Sequence, residues 1–562
     1  MRIPSGQNKI KNKQMKKNHL YICFIALAVI ASACNKKLNE YNPSGTTPAN
    51  MYTNAVGFET LVNAAYSYDR FWYGKEEGVS LSEMGTDIWT SGSGDVFPQL
   101  TQYNNLQGGN TTSLTLEWDN FYAAINLCNT GIAGINAVTD YTDAQKKMRE
   151  GELRFLRAFY YWHIVETWGG VHFTTAPTVG VVTTANRMPV DTFYRQIFTD
   201  LQFAVDNLPP TTGDYGRVTI PAAKAFLARM YLTRGMNAQA AALANDVIKN
   251  YGFSLLSNYA DLWNMGNVKN KEVIWAVDYS TNLTLNDIAT AAYPQGHSRG
   301  SNSDHLLYLM VYDQVNTAAL IRDIPNGRPF NRYMPTLAYL KMFNRNIDSR
   351  YDGSFQSLWR ANKAGGGFKV GDTVCYATPD TVKDIATKKY KVYDVTQVYK
   401  AGGAPLQNKF YVSLSKFKDS TRASLAEAQS ARDVFVIRLA EMYLIAAEAK
   451  YKQGDLDSAA YFLNVVRKRA ALPGHTDDMV ITSAQVNLDF ILDERARELG
   501  GEQLRWFDLK RTGKLIDRIK TQNMNPDAAA WVKDFDTLRP IPQKQLDAVT
   551  NKSEFTQNGG YQ

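Results

Sequence analysis

Histidine and cysteine are scarce in this chain, with six and four in 562 residues. Beyond residue 34 the histidines are His163, His172, His297, His305 and His475. No two stand at the i, i+4 spacing of a helical zinc site, and no cysteine lies beside one, so no metal site is legible. His163 sits among Tyr160, Tyr161 and Trp162 and reads as a core residue. Cys128 and Cys375 stand far apart and make no disulfide framework, so two unpaired thiols are expected. After residue 34 there is no apolar run of the roughly 20 residues that a transmembrane helix needs. A charge excess is missing too. The formal net charge is +8, but residues 1–33 hold six basic residues and no acidic one. The rest carries 56 basic against 54 acidic residues, which gives no reason to propose nucleic acid as a partner. No nucleophile elbow, phosphate loop or dinucleotide fingerprint occurs. Gly365-Gly366-Gly367 lacks the lysine and hydroxyl that phosphate binding requires. No cofactor is implied.

What is present is ordinary globular material, 44% hydrophobic and 21% charged, which excludes disordered and fibrous classes. The start is specialised. From Met15, the preferred initiator, Lys16 and Lys17 precede an apolar run from Leu20 to Ile30, and Ala31-Ser32-Ala33 precede Cys34. This is the anatomy of a secretory signal over residues 1–33 that ends in a lipobox, with Cys34 as the lipidated residue. Acyl chains would then hold the protein on a membrane without a spanning helix. Residues 34–50 are polar and fit a tether.

The remainder, 51–562, reads as one α-rich domain. Helical periodicity is expected at 54–72, 117–138, 142–168, 191–207, 220–234 and 238–250, and again at 434–454, 456–471, 483–499 and 503–519. Thr142-Asp143-Ala144-Gln145 is a capping box, and Gly169-Gly170 stops the helix it opens. Residues 85–115 read as loop. Residues 252–432 read as irregular, with short β-like runs at 272–278 and 389–395. The hairpins around Gly235 and Gly454 resemble each other. In each a helix ends at glycine and the next opens with small residues, the logic of tetratricopeptide repeats. Helical hairpins are therefore expected over about 142–250 and 433–519.

Paired carboxylates are the serious catalytic option, since glycosidases need two set about 5–10 Å apart. Asp493, Glu494 and Glu498 share a helix, but Arg495 and Arg497 interleave them. That is an ion-pairing pattern, which lowers a carboxylate's pKa and suits no general acid. Binding is better supported. Sugar CH faces stack on flat aromatics while hydroxyls need polar partners. Polar loops supply Asp87, Trp89 and Tyr103, and the irregular region supplies Tyr293, Tyr308 and Trp359. These six are the candidate ligand-binding residues. Asp87 is included because a carboxylate accepts hydroxyl hydrogens.

The lipobox, GELRFLRAFYYWHIVETWGGVHF (151–173), RPFNRYMPTLAYLKMFNRNIDSRYDGSF (328–355), VIRLAEMYLIAAEAKYKQGDLDSAAYFLNVVRKRA (436–470), ILDERARELGGEQLRWFDLKRTGKL (491–515) and the ending LRPIPQKQL…TQNGGYQ resemble the SusD/RagB family. The resemblance spans nearly the whole chain in order. It implies a mainly α fold, in which four tetratricopeptide-like hairpins scaffold an irregular ligand-facing half. It implies no catalysis. It also implies a lipid-anchored outer-membrane protein, facing the cell surface, that captures glycans for a SusC-like TonB-dependent transporter. The alternatives from the residues alone are a secreted carboxylate-dependent hydrolase and a protein-binding repeat scaffold.

Overall fold

The computed structural model describes residues 51–280, 282 and 302–562. Helix α1 (Ala55–Ser67) begins where the Asn54 side chain accepts from Gly57 N at 2.9 Å, an N-cap that satisfies one of the helix's orphan donors. Helix α2 (Thr112–Gly134) follows, and then α3 (Asp143–Trp168). The capping box of α3 is formed: Thr142 N donates to Gln145 Oε1 at 2.9 Å and Gln145 N to Thr142 Oγ1 at 3.3 Å. Its stop is Gly169, whose φ of 74° lies in the region that glycine adopts without strain. From Phe155 to Trp168 every residue of α3 is buried, which explains its unusual load of aromatics.

Helices α4 (Val190–Asn207), α5 (Ile220–Thr233) and α6 (Asn237–Asn250) complete the first array. Helix α4 packs on α3 and α5, and α5 packs on α6. The second array contains α7 (Leu439–Lys452), α8 (Leu456–Arg469), α9 (Leu488–Leu499) and α10 (Arg505–Arg511). The two hairpins that resemble one another in sequence are neighbours in space, because α6 packs directly on α7. Buried Ala240, Ala241 and Ala244 on α6 and Ala459 and Ala460 on α8 give the close approach that small side chains allow. The irregular region is thus an excursion between two adjacent layers of one helical stack.

Nine short strands accompany the helices among the described residues. Antiparallel pairs are β1 (Trp89–Ser91) with β3 (Tyr333–Pro335), β2 (Val273–Val277) with β9 (Val434–Arg438), and β4 (Phe355–Gln356) with β8 (Ser413–Leu414). Strand β6 (Thr373–Ala377) lies between antiparallel β5 (Leu358–Arg360) and parallel β7 (Lys391–Tyr393). The mainly helical fold with a loop-rich part and few strands is the class expected.

Three expectations need correction. The helix expected from 434 starts only at Leu439, because Val434–Arg438 pairs with β2 and is buried along its length apart from Val434. Alternating β-branched residues in VFVIR fit a two-sided buried strand better than a first helical turn. Residues 85–115 hold β1, a short helix at Pro98–Gln102 and the start of α2. The run expected to continue to 395 as strand ends at Tyr393, where Asp394 caps a helical turn by accepting from Thr396 N and Gln397 N.

The irregular part has a core of its own, built from Trp89, Tyr308, Met310, Tyr333, Tyr339, Trp359, Cys375 and their neighbours and separate from the helical core. Cys128 and Cys375 are free and buried, one in each core. Among the described residues no helix is long and apolar enough to cross a membrane.

Candidate functional site

The structure moves five of the six sequence candidates into the interior. Trp89 is 0% exposed. Its Nε1 donates to Glu83 Oε2 at 2.9 Å, and its ring lies 4.8 Å from Tyr308 and 5.3 Å from Tyr339. Glu83 also accepts from the backbone N–H of Gly501 and Leu504, so it anchors β1 to the segment before α10. Asp87 is a buried counter-ion, held by Arg505 at 2.5 Å and Arg518 at 2.6 Å. Burial would raise its pKa, but the two guanidiniums outweigh that and lower it. Tyr103 is 4% exposed, donates to Gly85 O at 2.7 Å and carries the Arg539 guanidinium over its ring. Tyr308 and Trp359 are each 1% exposed and belong to the second core. Tyr293 lies outside the described residues. None of the five has a face to offer a sugar. Aromatics in polar loops signalled exposure, but this irregular half is thick enough to need its own core, and they fill it.

The acidic cluster is structural, as expected. Glu494 meets Arg350 at 2.7 Å, Arg467 at 2.8 Å and Arg497 at 2.7 Å. Glu498 meets Arg438 at 2.7 Å, Arg350 at 3.1 Å and Arg469. Burial pushes both acids up, but these guanidiniums hold them well below the usual carboxylate range, so neither can deliver a proton near neutral pH. His163 is also a core residue. Its Nδ1 lies 2.8 Å from Phe159 O, and burial pushes its pKa down to about 3.

The surface offers a different site. A cleft of about 440 Å³ opens between α1 with its following turn (Tyr68–Phe71), the 214–217 loop and the end of β2. Half-buried Tyr66 and Tyr215 present aromatic walls, and Asn63, Asp69, Arg70 and Asp278 add polar groups. The walls are pinned from behind. Val218 N donates to Tyr66 Oη at 3.1 Å, and Trp275 Nε1 donates to Gly216 O at 2.9 Å. Gly216 has φ of 92°, a turn conformation that glycine adopts without strain. Arg217 donates to Glu152 at 2.7 Å, Glu59 at 3.0 Å and Asn63 at 2.8 Å, tying the loop to α1 and α3. Two polar atoms here have no hydrogen-bond partner, the Tyr215 hydroxyl and Asp69 Oδ1. Burial pushes the Asp69 carboxyl up to about 8, against the pull of Tyr160 and Arg70, so it is protonated at neutral pH.

Sequence reasoning missed this cleft. Its signal was Tyr215 in GDYGR (213–217), an aromatic flanked by glycines between two helices. The rule applied to 85–105 would have flagged it.

The cleft combines two aromatic walls with polar groups, an arrangement suited to a polar ligand with apolar faces. Comparisons with known proteins take this further. Residues 271–561 match the model described as "SusD family", and residues 47–232 match one described as "Starch-binding associating with outer membrane". The chain belongs to the SusD family. A SusD-like protein, P25, from Formosa agariphila is 26% identical over 96% of this chain and 98% of its own. The starch-binding protein SusD of Bacteroides thetaiotaomicron is 24% identical over 87% of each. Among solved structures, a laminarin-binding SusD-like protein superposes with a TM-score of 0.68 at 24% identity, over 90% of this chain and 100% of that one. Surface glycan-binding protein A from Bacteroides thetaiotaomicron, in complex with laminarihexaose, gives 0.66 at 20% identity over 90% and 99%. The protein is a non-catalytic, glycan-binding member of the outer membrane that partners a SusC-type transporter.

Proposed function

We propose that the cleft between α1 and the 214–217 loop is where this protein holds its glycan before passing it to the transporter. The observation that carries the reading is the pair of half-buried tyrosines, Tyr66 and Tyr215, beside unpaired polar atoms in an open cleft of about 440 Å³. That volume suits a few sugar rings. Names of the similar proteins, starch-binding and laminarin-binding, make glucans the first ligands to try. Residues 1–33 act as the export signal, Cys34 carries the lipid and residues 34–50 serve as the tether, with the binding domain displayed at the cell surface.

The test is calorimetry of the wild type and of Tyr215→Ala against starch- and laminarin-derived oligosaccharides. Loss of one aromatic platform should weaken the affinity by about 1–3 kcal/mol, or about 5- to 150-fold. The melting temperature should stay nearly constant. Unchanged affinity would move the site elsewhere.

A further inference from the structure

We infer that a groove beside α2, rimmed by the valines of residues 179–182, is a surface through which this chain docks on its SusC-type transporter, by receiving an apolar segment of that membrane protein. Among the described residues Val181 and Val179 are the most exposed large apolar side chains, at 93% and 87%, and Val182 stands 60% exposed beside them. They lie in the link between α3 and α4, where residues 174–186 (TTAPTVGVVTTAN) carry no charged side chain. Val182 also walls a groove of about 270 Å³, together with Trp118, Tyr122 and Ile125 of α2 and Val549 and Phe555 near the end of the chain. Single apolar side chains on a surface are ordinary, but a run of them on the lip of an apolar groove marks a place for another molecule.

The loop is fixed on both sides of the valines. Asn129 Nδ2 donates to Thr174 O at 3.3 Å and to Ala176 O at 3.2 Å, and Thr178 N donates to Asn126 Oδ1 at 2.8 Å. Beyond the run, Thr550 N donates to Thr183 O at 2.8 Å and Ala185 N to Asn551 Oδ1 at 3.1 Å. A surface held in place before it meets a partner loses less conformational freedom on binding. Protein segments bring apolar side chains to such a groove, whereas a lipid surface is met by basic and indole side chains, which this run does not contain. Position points to the transporter. From Asn126, α2 continues to Gly134, about 12 Å along its axis. Just beyond, Thr139 N donates to Thr53 O at 3.2 Å and Ala55 N to Asp140 Oδ1 at 2.7 Å, so the chain enters the domain at this end of α2. With the proposed anchor at Cys34, on which this orientation rests, that end is the one tethered to the membrane that holds the transporter.

The experiment uses the full chain co-expressed with its SusC-type transporter. The photo-reactive residue p-benzoylphenylalanine in place of Val181 should cross-link to the transporter, with the linked peptide read by mass spectrometry. The triple variant Val179→Ser, Val181→Ser, Val182→Ser should weaken the purified pair in detergent by about tenfold or more, whereas Val370→Ser, at another exposed valine, should not. These side chains are exposed, so the melting temperature and the glycan affinity of the triple variant should match the wild type. If the melting temperature falls, the cross-link decides. The same comparison in a Cys34→Ala background keeps this inference separate from the anchor: a serine effect that persists there supports the groove even if that variant stays on the membrane, and its disappearance there counts against the groove. Equal affinity of the triple variant and the wild type would overturn the inference, as would an equal loss in Val370→Ser. Cross-links confined to lipid, to glycan or to residues 34–50 of the chain would overturn it too.

Discussion

Trp89 shows how one residue can be misread and then tested. In the sequence it stands in DIWTSGSGD, where small neighbours suggest an open face. In the fold those small residues let other chain segments approach: a side chain at Gly92 or Gly94 would collide with backbone of 330–331, 2.2 Å from where its Cβ would sit. Close approach buries the tryptophan instead of exposing it. Truncation of a buried aromatic costs about 3–5 kcal/mol, and the Glu83 carboxylate would also lose its indole donor. Trp89→Ala should therefore lower the denaturation midpoint strongly and leave glycan affinity per folded molecule unchanged. Thermal melting combined with calorimetry on the folded fraction decides between the two roles. A stable variant with weakened affinity would return Trp89 to the site. Asp87 was less legible still, since its partners Arg505 and Arg518 lie at the other end of the chain and no local pattern announces such pairs.

At the scale of elements, periodicity and caps revealed most of the helices, because those signals are local. The Thr142 capping box, the glycine stops at 169, 235 and 454, and the small-residue faces all appear where the sequence places them. What stayed hidden was set by partners distant in sequence. The residues VFVIR extend a helical pattern as written, yet they pair with Val273–Val277. Arg438, the last of them, fixes that choice. It is buried and donates to Glu502 and Glu498 at 2.7 Å and to Glu272 at 2.8 Å. Removing it would leave three buried carboxylates short of a counter-charge, and breaking one side of a buried ion network costs about 3–5 kcal/mol. Arg438→Met keeps much of the side-chain volume, so a loss of that size in denaturant titration would reflect charge and not a cavity. A change below about 1 kcal/mol would mean that Arg350 and Arg469 carry the network without it.

For the whole molecule, the proposed export leader rests on consecutive residues, Lys16-Lys17, the apolar run from Leu20 to Ile30 and Cys34. Cys34→Ala should leave the protein unanchored, since acyl chains on Cys34 are its proposed hold on the membrane. Membrane retention of that variant in a strain lacking the transporter would contradict this. The folded body makes a second global prediction, through its pH dependence. Burial raises Asp69 to about 8 and Glu76, Glu83 and Asp304 to about 7, and it raises Glu117 as well. A carboxyl raised by folding binds its proton more tightly in the native state. These groups therefore add stability as pH falls from about 8 toward the ordinary carboxylate range. His163 and His305, buried and pushed down to about 3, act in the opposite sense below their ordinary value, but they are fewer. Asp87, Glu448, Glu494, Glu498 and Asp508 are lowered because their arginines outweigh burial. Their contribution is complete above the unfolded carboxylate value near 4 and is lost as pH drops below it. Stability should thus rise from pH 8 to about pH 5 and fall steeply below about pH 4. Denaturant midpoints across that range test it. A midpoint that is flat from pH 8 to 5 would mean that water reaches the raised acids and restores their ordinary titration. Persistence of full stability at pH 3 would mean that the buried arginine networks survive protonation of their partners.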